Sequence, residues 1–211
     1  MNIEKHINKD NKILFITFGG LANQLSMPQF EFRNFLTNNF KSIDFVFIKD
    51  PGQFWYFNGI PGLGNNIHEI SEYLKNMIDE IKPEKVITLG TSAGGFASIL
   101  FGNLIGADHL ISFNPQTILN KTINHVGHAR KLEVLRILGE SNKYYDLLNL
   151  DNNIDQKIHI VYGNNDKNDV NMAKRMEVWP NVKTYAFKGD HGIVRVLRQN
   201  GELLKFFNEI I

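Results

Sequence analysis

The chain contains six runs in which apolar residues predominate, each followed by a polar or glycine-rich segment. Strands that are apolar throughout, rather than at alternate positions, are typical of parallel sheets whose two faces are both covered by helices. The runs therefore predict a mostly parallel sheet of about six strands. They are residues 13–18, 45–48, 86–89, 110–113, 158–162 and 182–187.

Segments with helical periodicity lie between these runs. Apolar residues recur at helical spacing over Ile67–Ile81, and Pro83 is expected to end that helix. Further helices are predicted around residues 32–40 and over residues 193–207. The alternation of the two patterns predicts an α/β fold with helices on both faces of the sheet.

Two connections between the predicted elements are long. Residues 114–156 contain helical patches around 129–138 and 144–148, so a small helical cap inserted between two strands is expected there. Residues 50–66 form a loop rich in glycine and aromatic residues. With 211 residues and no internal linker, the chain is expected to form one domain over residues 1–211.

Composition narrows the function classes. The net charge of +1 and the lack of a long basic run argue against nucleic-acid binding and against attachment to an anionic membrane. The absence of cysteine excludes disulfides, thiolate metal sites and a cysteine nucleophile. The first residues lack the apolar core of a signal peptide, and no apolar stretch is long enough to span a bilayer, so a cytoplasmic location is expected.

The segment Gly90-Thr91-Ser92-Ala93-Gly94 carries the main chemical signal. It has the pattern G-x-S-x-G, with an apolar strand leading in and a helix-period run leading out. In a nucleophile elbow the serine stands on a strained strand-to-helix turn, and the flanking glycines allow the close backbone approach that this turn requires. Ser92 is therefore the candidate nucleophile, beside a helix N-terminus that favours developing negative charge.

Two later strands are followed by residues that suit a serine nucleophile. Asp166 comes after the strand at 158–162, and His191 comes after the strand at 182–187. Histidine can accept the serine proton and return it to a leaving group, and a carboxylate can orient the imidazole. Asp166 is preferred to its rival Asp169 because it lies closer to the strand end, whereas Asp169 is expected to cap the following helix.

The order serine, aspartate and histidine, each after a strand, resembles that of the α/β-hydrolase family over nearly the whole chain. The resemblance implies an α/β-hydrolase fold in a trimmed form, because the first predicted strand runs directly into the oxyanion loop and leading antiparallel strands are not expected. It also implies a triad of Ser92, Asp166 and His191 that works through an acyl-enzyme, with no cofactor.

The same resemblance implies an oxyanion hole. One donor would be the backbone N–H of Ala93, and the other would come from Gly20 or Leu21 in the loop after the first strand. The chain lacks the His-Gly-Gly-Gly variant that many lipases and esterases of the family carry, so the second donor stays open. A plain Gly-Gly turn is the alternative interpretation of this loop.

Substrate contacts are predicted for Gly19 and for two residues of the aromatic loop, Trp55 and Tyr56. Packing beneath the loop is the equal alternative for the aromatic side chains. Metal binding is not expected, because His125 and His128 have no evident third ligand nearby.

A serine triad forms an acyl-enzyme but leaves the acyl acceptor open. Hydrolysis of a small acyl ester is the preferred reaction, and transfer of an acyl group to a carbohydrate hydroxyl is the alternative. The short motifs also resemble those of small bacterial α/β-hydrolase proteins of surface-polysaccharide pathways, some of which are sugar O-acetyltransferases or O-acetyl esterases. The expected partner is thus a small acyl ester or an acylated carbohydrate. A peptidase and a non-catalytic binding module are further alternatives, and the oligomeric state is open.

Overall fold

A seven-stranded sheet forms the centre of the computed structural model, which describes residues 2–8, 10–21, 30–119, 136 and 142–211. The strands are β1 (Ile3–His6), β2 (Ile13–Phe18), β3 (Asp44–Ile48), β4 (Lys85–Thr91), β5 (His109–Phe113), β6 (Lys157–Gly163) and β7 (Val182–Phe187). Their order across the sheet is β1-β3-β2-β4-β5-β6-β7. Only the β1–β3 pair is antiparallel among these neighbours. The mostly parallel sheet predicted from the apolar runs is confirmed.

Strand β1 corrects the expectation that the chain has no leading antiparallel strand. It pairs with β3 at one edge of the sheet, with Ile3 opposite Ile48 and His6 opposite Phe45. Its residues are half-buried or exposed, so its sequence Ile-Glu-Lys-His contains no continuous apolar run. An edge strand that contacts solvent gives a weaker hydrophobic signal than a central strand covered on both faces.

Six α-helices lie in the described residues. They are α1 (Arg33–Asn39), α2 (Ile67–Ile81), α3 (Ala93–Ile105), α4 (Lys167–Lys174), α5 (Ile193–Gln199) and α6 (Glu202–Ile210). The last predicted helix is divided into α5 and α6 because Gly201 between them adopts a φ of 79°. The longest described helix, α2, has 15 residues, and none of these helices has the length and apolarity that a membrane crossing requires.

Apolar side chains form a separate core on each face of the sheet. On one face, Leu14 and Ile16 of β2 pack in the core that α2 and α3 cover. On the other face, Phe207 of α6 contacts the rings of Phe15 and Phe32, with centroid distances of 6.1 and 6.3 Å. Burial of each such side chain contributes about 1.5–3 kcal/mol. This second core fixes the C-terminal helices on the sheet, and with them the loop that precedes α5.

The cap predicted at residues 114–156 falls largely outside the described residues. Its described ends contain two short 3₁₀-helices, Lys143–Tyr145 and Leu147–Asn149. Arg175 fixes these ends by donating to the two carboxylate oxygens of Asp146 at 2.8 and 2.6 Å and to the carbonyl oxygen of Thr117 at 3.1 Å. The cap itself and the single-domain organisation stay predictions.

Candidate active site

Ser92 occupies the sharp turn between β4 and α3. Its backbone has a φ of 55° and a ψ of −116°, a strained conformation for a residue with a Cβ. The Ser92 N–H donates to the carbonyl oxygen of Phe113 at 2.9 Å. A Cβ added to Gly90 would lie 2.1 Å from the carbonyl oxygen of Gly94, and a Cβ added to Gly94 would lie 2.1 Å from that of Phe18. The two glycines thus permit the turn that places Ser92 at the carboxyl edge of the sheet.

The side chains of Ser92, His191 and Asp169 form a continuous hydrogen-bonded chain. The Nε2 atom of His191 lies 3.0 Å from the Oγ atom of Ser92, and its Nδ1 atom lies 2.8 and 3.0 Å from the two carboxylate oxygens of Asp169. The Asp169 side chain is 5% exposed and the His191 side chain 25% exposed. A carboxylate at Nδ1 favours the tautomer whose Nε2 lone pair faces the serine hydroxyl. This arrangement has the geometry that nucleophilic catalysis by serine requires.

The structure places Asp169, and not Asp166, against His191. The Asp166 carboxylate instead accepts hydrogen bonds from the N–H groups of Asn168 at 2.8 Å and of Asp169 at 3.3 Å, which makes it the N-cap of α4. The sequence-based choice is therefore corrected. The helix begins directly after Asp166, and the Asp166 side chain therefore accepts hydrogen bonds from the free backbone N–H groups of the first turn. Asp169 lies in that turn, where its side chain contacts His191.

The charges around His191 favour its protonated form. Burial lowers the pKa of an imidazole, but the hydrogen bond to Asp169 and the negative charges of Asp169, Asp166 and Glu31 together raise the pKa of His191 above its usual 6.5. An imidazolium forms whenever His191 takes the proton of Ser92. The surrounding carboxylates therefore stabilise the charge that this proton transfer creates.

Asn114 ties the loop of His191 to the ends of two strands. Its Nδ2 atom donates to the carbonyl oxygen of His191 at 2.6 Å, and its Oδ1 atom accepts from the N–H of Gly163 at 3.0 Å. The side chain is fully buried, and the backbone has a φ of 43°. Sequence reasoning did not single out Asn114. Its one signal was a lone amide residue directly after a buried strand.

Solved structures match the chain over nearly its whole length, although no protein-family model and no curated protein sequence matches it. The capsule O-acetyltransferase of Neisseria meningitidis serogroup A is 19% identical, with a TM-score of 0.68, and the match covers 96% of this chain and 89% of that one. The α/β-hydrolase enzyme MGS-MChE2, from the metagenome of sediments of the Mar Chica lagoon in Morocco, is 18% identical, with a TM-score of 0.64 and coverages of 98% and 94%. FphF, a fluorophosphonate-binding serine hydrolase of Staphylococcus aureus, is 13% identical, with a TM-score of 0.62 and coverages of 95% and 85%. The chain has the α/β-hydrolase fold.

In this α/β-hydrolase fold, the loop after β2 lies beside the nucleophile turn. A Cβ added to Gly20 would lie 3.1 Å from the carbonyl oxygen of Thr91, and α3 starts at Ala93, directly after Ser92. The first N–H groups of a helix have no partner within the helix. The predicted oxyanion donors, Ala93 with Gly20 or Leu21, therefore lie at the same edge of the sheet, and their role stays a prediction.

Trp55 and Tyr56 pack into the core beneath the 50–66 loop, with exposed fractions of 1% and 0%. The Trp55 Nε1 atom donates to Oε1 of Gln116 at 2.6 Å, and the Tyr56 hydroxyl donates to the carbonyl oxygen of Gly19 at 2.8 Å. Their predicted substrate contacts are corrected, because a buried ring has no surface to offer a substrate. The Tyr56 hydroxyl instead holds Gly19 at the start of the loop after β2. The contact of Gly19 with substrate stays a prediction.

His125 and His128 lie outside the described residues. Within the part of the chain that the structure describes, no group of three or more histidine, aspartate or glutamate side chains is placed to hold a metal ion.

Proposed function

We propose that the protein is a serine hydrolase that cleaves a small acyl ester through an acyl-enzyme on Ser92. The observation that carries the proposal is the chain from Asp169 through His191 to Ser92, with 3.0 Å between Nε2 and Oγ. Serine is a weak nucleophile at neutral pH and needs a base within this distance. A binding module without catalysis has no need of such an arrangement on a strained turn, so the geometry supports an enzyme.

In the proposed mechanism, His191 accepts the hydroxyl proton of Ser92 while Oγ bonds to the carbonyl carbon of the ester. The resulting oxyanion accepts hydrogen bonds from the N–H of Ala93 and from Gly20 or Leu21. The imidazolium then protonates the alkoxy oxygen as its bond to carbon breaks, and the alcohol leaves. Water repeats the sequence: its proton passes to His191, its oxygen bonds to the acyl carbon, and Ser92 leaves with the proton as the carboxylic acid is released.

Acyl transfer to a carbohydrate hydroxyl is the second candidate reaction. The similarity to the capsule O-acetyltransferase supports it, and a mutant of that enzyme is known in complex with CoA. The sequence of the present chain contains no long basic run that would receive the phosphates of CoA. Hydrolysis is therefore placed first, since it requires only water as the acceptor.

Product partition tests this choice. The protein is supplied with p-nitrophenyl acetate, with and without an oligosaccharide, and the products are followed by mass spectrometry, with Ser92→Ala as the background control. We expect acetate as the main product in both reactions. If acetylated oligosaccharide forms and acetate release is negligible without the acceptor, transfer replaces hydrolysis as the function.

A further inference from the structure

The first part of the 50–66 loop is organised around the carboxylate of Asp50. Its Oδ1 atom accepts a hydrogen bond from the N–H of Gly52 at 3.0 Å, and its Oδ2 atom accepts from the N–H groups of Phe54 and Tyr56 at 2.6 and 2.9 Å. Tyr56 has a φ of 69°, a left-handed conformation that residues with a Cβ rarely adopt. The three converging hydrogen bonds hold this strained backbone and thereby fix the place of Tyr56.

The side chain of Tyr56 extends from this loop to the end of β2. It is fully buried, and its ring contacts Phe18 and Phe101 with centroid distances of 5.6 and 5.9 Å. Its hydroxyl oxygen lies 2.8 Å from the carbonyl oxygen of Gly19 and 3.4 Å from that of Ile48. The N–H of Gly19 donates to the same Ile48 oxygen at 2.8 Å. Both backbone polar groups of Gly19 therefore have partners in the core.

The contact with Tyr56 sets the direction of the next N–H group along the chain. The carbonyl of Gly19 and the N–H of Gly20 belong to one planar trans peptide unit and point in opposite directions. Because the carbonyl oxygen faces Tyr56 in the core, the N–H of Gly20 faces away from it. Gly20 lies beside the nucleophile turn, where a Cβ added to it would lie 3.1 Å from the carbonyl oxygen of Thr91. The start of α3 contacts the same peptide unit, since a Cβ added to Gly94 would lie 2.9 Å from the carbonyl carbon of Gly19.

We propose that Tyr56 is a positioning residue for the oxyanion hole, and that the N–H of Gly20 rather than that of Leu21 is the second donor. The inference rests on the proposed function and deepens it. A peptide unit between two glycines rotates easily, because neither residue has a Cβ to restrict it. Rotation would turn the carbonyl oxygen of Gly19 toward the developing oxyanion and repel it. The Tyr56 hydroxyl prevents this by holding the carbonyl, and Asp50 acts one step further away by holding Tyr56.

Tyr56→Phe tests the proposal because it removes the hydroxyl and keeps the buried ring. We expect kcat for p-nitrophenyl acetate to fall by about tenfold while KM stays within about twofold, because the hole stabilises the transition state more than the bound ester. Affinity for an alkyl trifluoromethyl ketone should fall by the same factor as kcat/KM. In the ketone adduct, Oγ of Ser92 bonds to the carbonyl carbon, its proton passes to His191, and the ketone oxygen becomes an oxyanion in the hole.

The matched control is Tyr185→Phe. The Tyr185 hydroxyl lies 3.1 Å from Nδ1 of His159, and its ring packs in the core on the other face of the sheet. The same atoms are thus removed from a hydrogen-bonded tyrosine away from the oxyanion loop, and kcat and ketone affinity should stay within about twofold of the wild-type values. Asp50→Asn should lower kcat as Tyr56→Phe does. The double variant should lose little more than Asp50→Asn alone, because both side chains act through the carbonyl of Gly19.

Nuclear magnetic resonance identifies the donor directly. Isotope labels on glycine carbonyl carbons and glycine nitrogens together select peptide bonds between consecutive glycines, which are Gly19–Gly20 and Gly94–Gly95. The Gly20 signal is the one that Gly20→Ala removes. Its N–H proton should move downfield when the ketone adduct forms, because hydrogen bonds to an ionised acceptor are short and strong. The displacement should be smaller in Tyr56→Phe.

Circular dichroism establishes that each variant is folded, and the wild-type spectra carry the test if Tyr56→Phe does not fold. A folded Tyr56→Phe protein with unaltered kcat and ketone affinity would overturn the inference, as would an equal loss in Tyr185→Phe. So would an adduct that, in a sample labelled at leucine nitrogens, displaces the N–H signal of Leu21 while that of Gly20 stays in place. A wild-type protein that neither hydrolyses the ester nor binds the ketone contradicts the proposed function and the inference with it, whereas each of the other outcomes contradicts the inference alone.

Discussion

The Nε2 atom of His191 lies 3.0 Å from the Oγ atom of Ser92, although the two residues are 99 positions apart in the chain. Ser92 follows β4 and His191 follows β7, three places away in the sheet. The loop after β7 therefore crosses the ends of the intervening strands. It passes so close to the end of β6 that a Cβ added to Gly163 would lie 2.3 Å from the carbonyl oxygen of Asp190. The contact between the two catalytic candidates thus depends on how this loop is held.

The identity of the acid can be tested by two matched amide substitutions. Asp169→Asn should lower kcat/KM by about a thousandfold or more, because an amide neither holds the required imidazole tautomer nor stabilises the imidazolium. Asp166→Asn keeps a good N-cap, so kcat/KM should fall by less than about tenfold and the melting temperature should hardly change. Steady-state kinetics with p-nitrophenyl acetate compare the two. The opposite ranking would return the role of the acid to Asp166.

Activity should fall on acidification, because protonated His191 cannot accept the proton of Ser92. The negative charges of Asp169, Asp166 and Glu31 raise the pKa of His191, so the acidic limb of kcat/KM should lie above 6.5.

Glu31→Gln removes one of the negative charges near His191, so the imidazolium form of His191 is stabilised less. The pKa of His191 then falls, and the limb should move to lower pH. Profiles recorded from about pH 5 to about pH 9 check the direction. A limb that moves to higher pH in this variant contradicts the electrostatic account.

Asn114→Asp tests how the histidine loop is held. The substitution keeps the acceptor for the N–H of Gly163 but replaces the donor to the His191 carbonyl oxygen with a second acceptor. The loss of this buried hydrogen bond should destabilise the fold by about 1–3 kcal/mol. We expect a large fall in kcat and a small change in KM, because the substitution displaces His191 but leaves the residues that bind the substrate in place. A variant with normal kcat would show that the loop does not need this contact.

Trp55→Ala distinguishes a core role from a substrate contact. The ring is buried and its Nε1 atom is hydrogen-bonded to Gln116, so the free energy of unfolding should fall by about 3–5 kcal/mol. Val178→Ala, at a position that is 70% exposed, is the control and should change it by at most about 0.5 kcal/mol. Urea unfolding measures both values. If the Trp55→Ala variant has normal stability and an altered ester preference, Trp55 contacts the substrate instead.

The central strands could be predicted from the sequence because each is buried on both faces and therefore mainly apolar. Strand β1 could not, since it lies at an edge and only Ile3 among its four residues is apolar. The proximity of Ser92 and His191 could be foreseen because each follows a predicted strand at the edge where the ends of parallel strands meet, and their roles stay predictions.

The acid depended on finer geometry. Asp166 and Asp169 differ only by their place in the first turn of α4, and the residue at which the helix starts decides which carboxylate caps it. Asn114 and Glu31 are distant from Ser92 in the sequence and belong to no motif. Only the folded sheet brings them to the same edge, so no spacing in the sequence indicated them.

Labelling with a fluorophosphonate tests the central claim most directly, because the reagent reacts with an activated serine and requires no knowledge of the natural substrate. The protein is treated with the reagent, and the modified peptide is identified by mass spectrometry. Ser92→Ala serves as the control for reaction elsewhere. We expect one adduct, on Ser92, that is absent from the Ser92→Ala variant and forms more slowly in the Asp169→Asn variant. A folded wild-type protein that remains unlabelled at Ser92, or that is labelled equally in the Ser92→Ala variant, would contradict it.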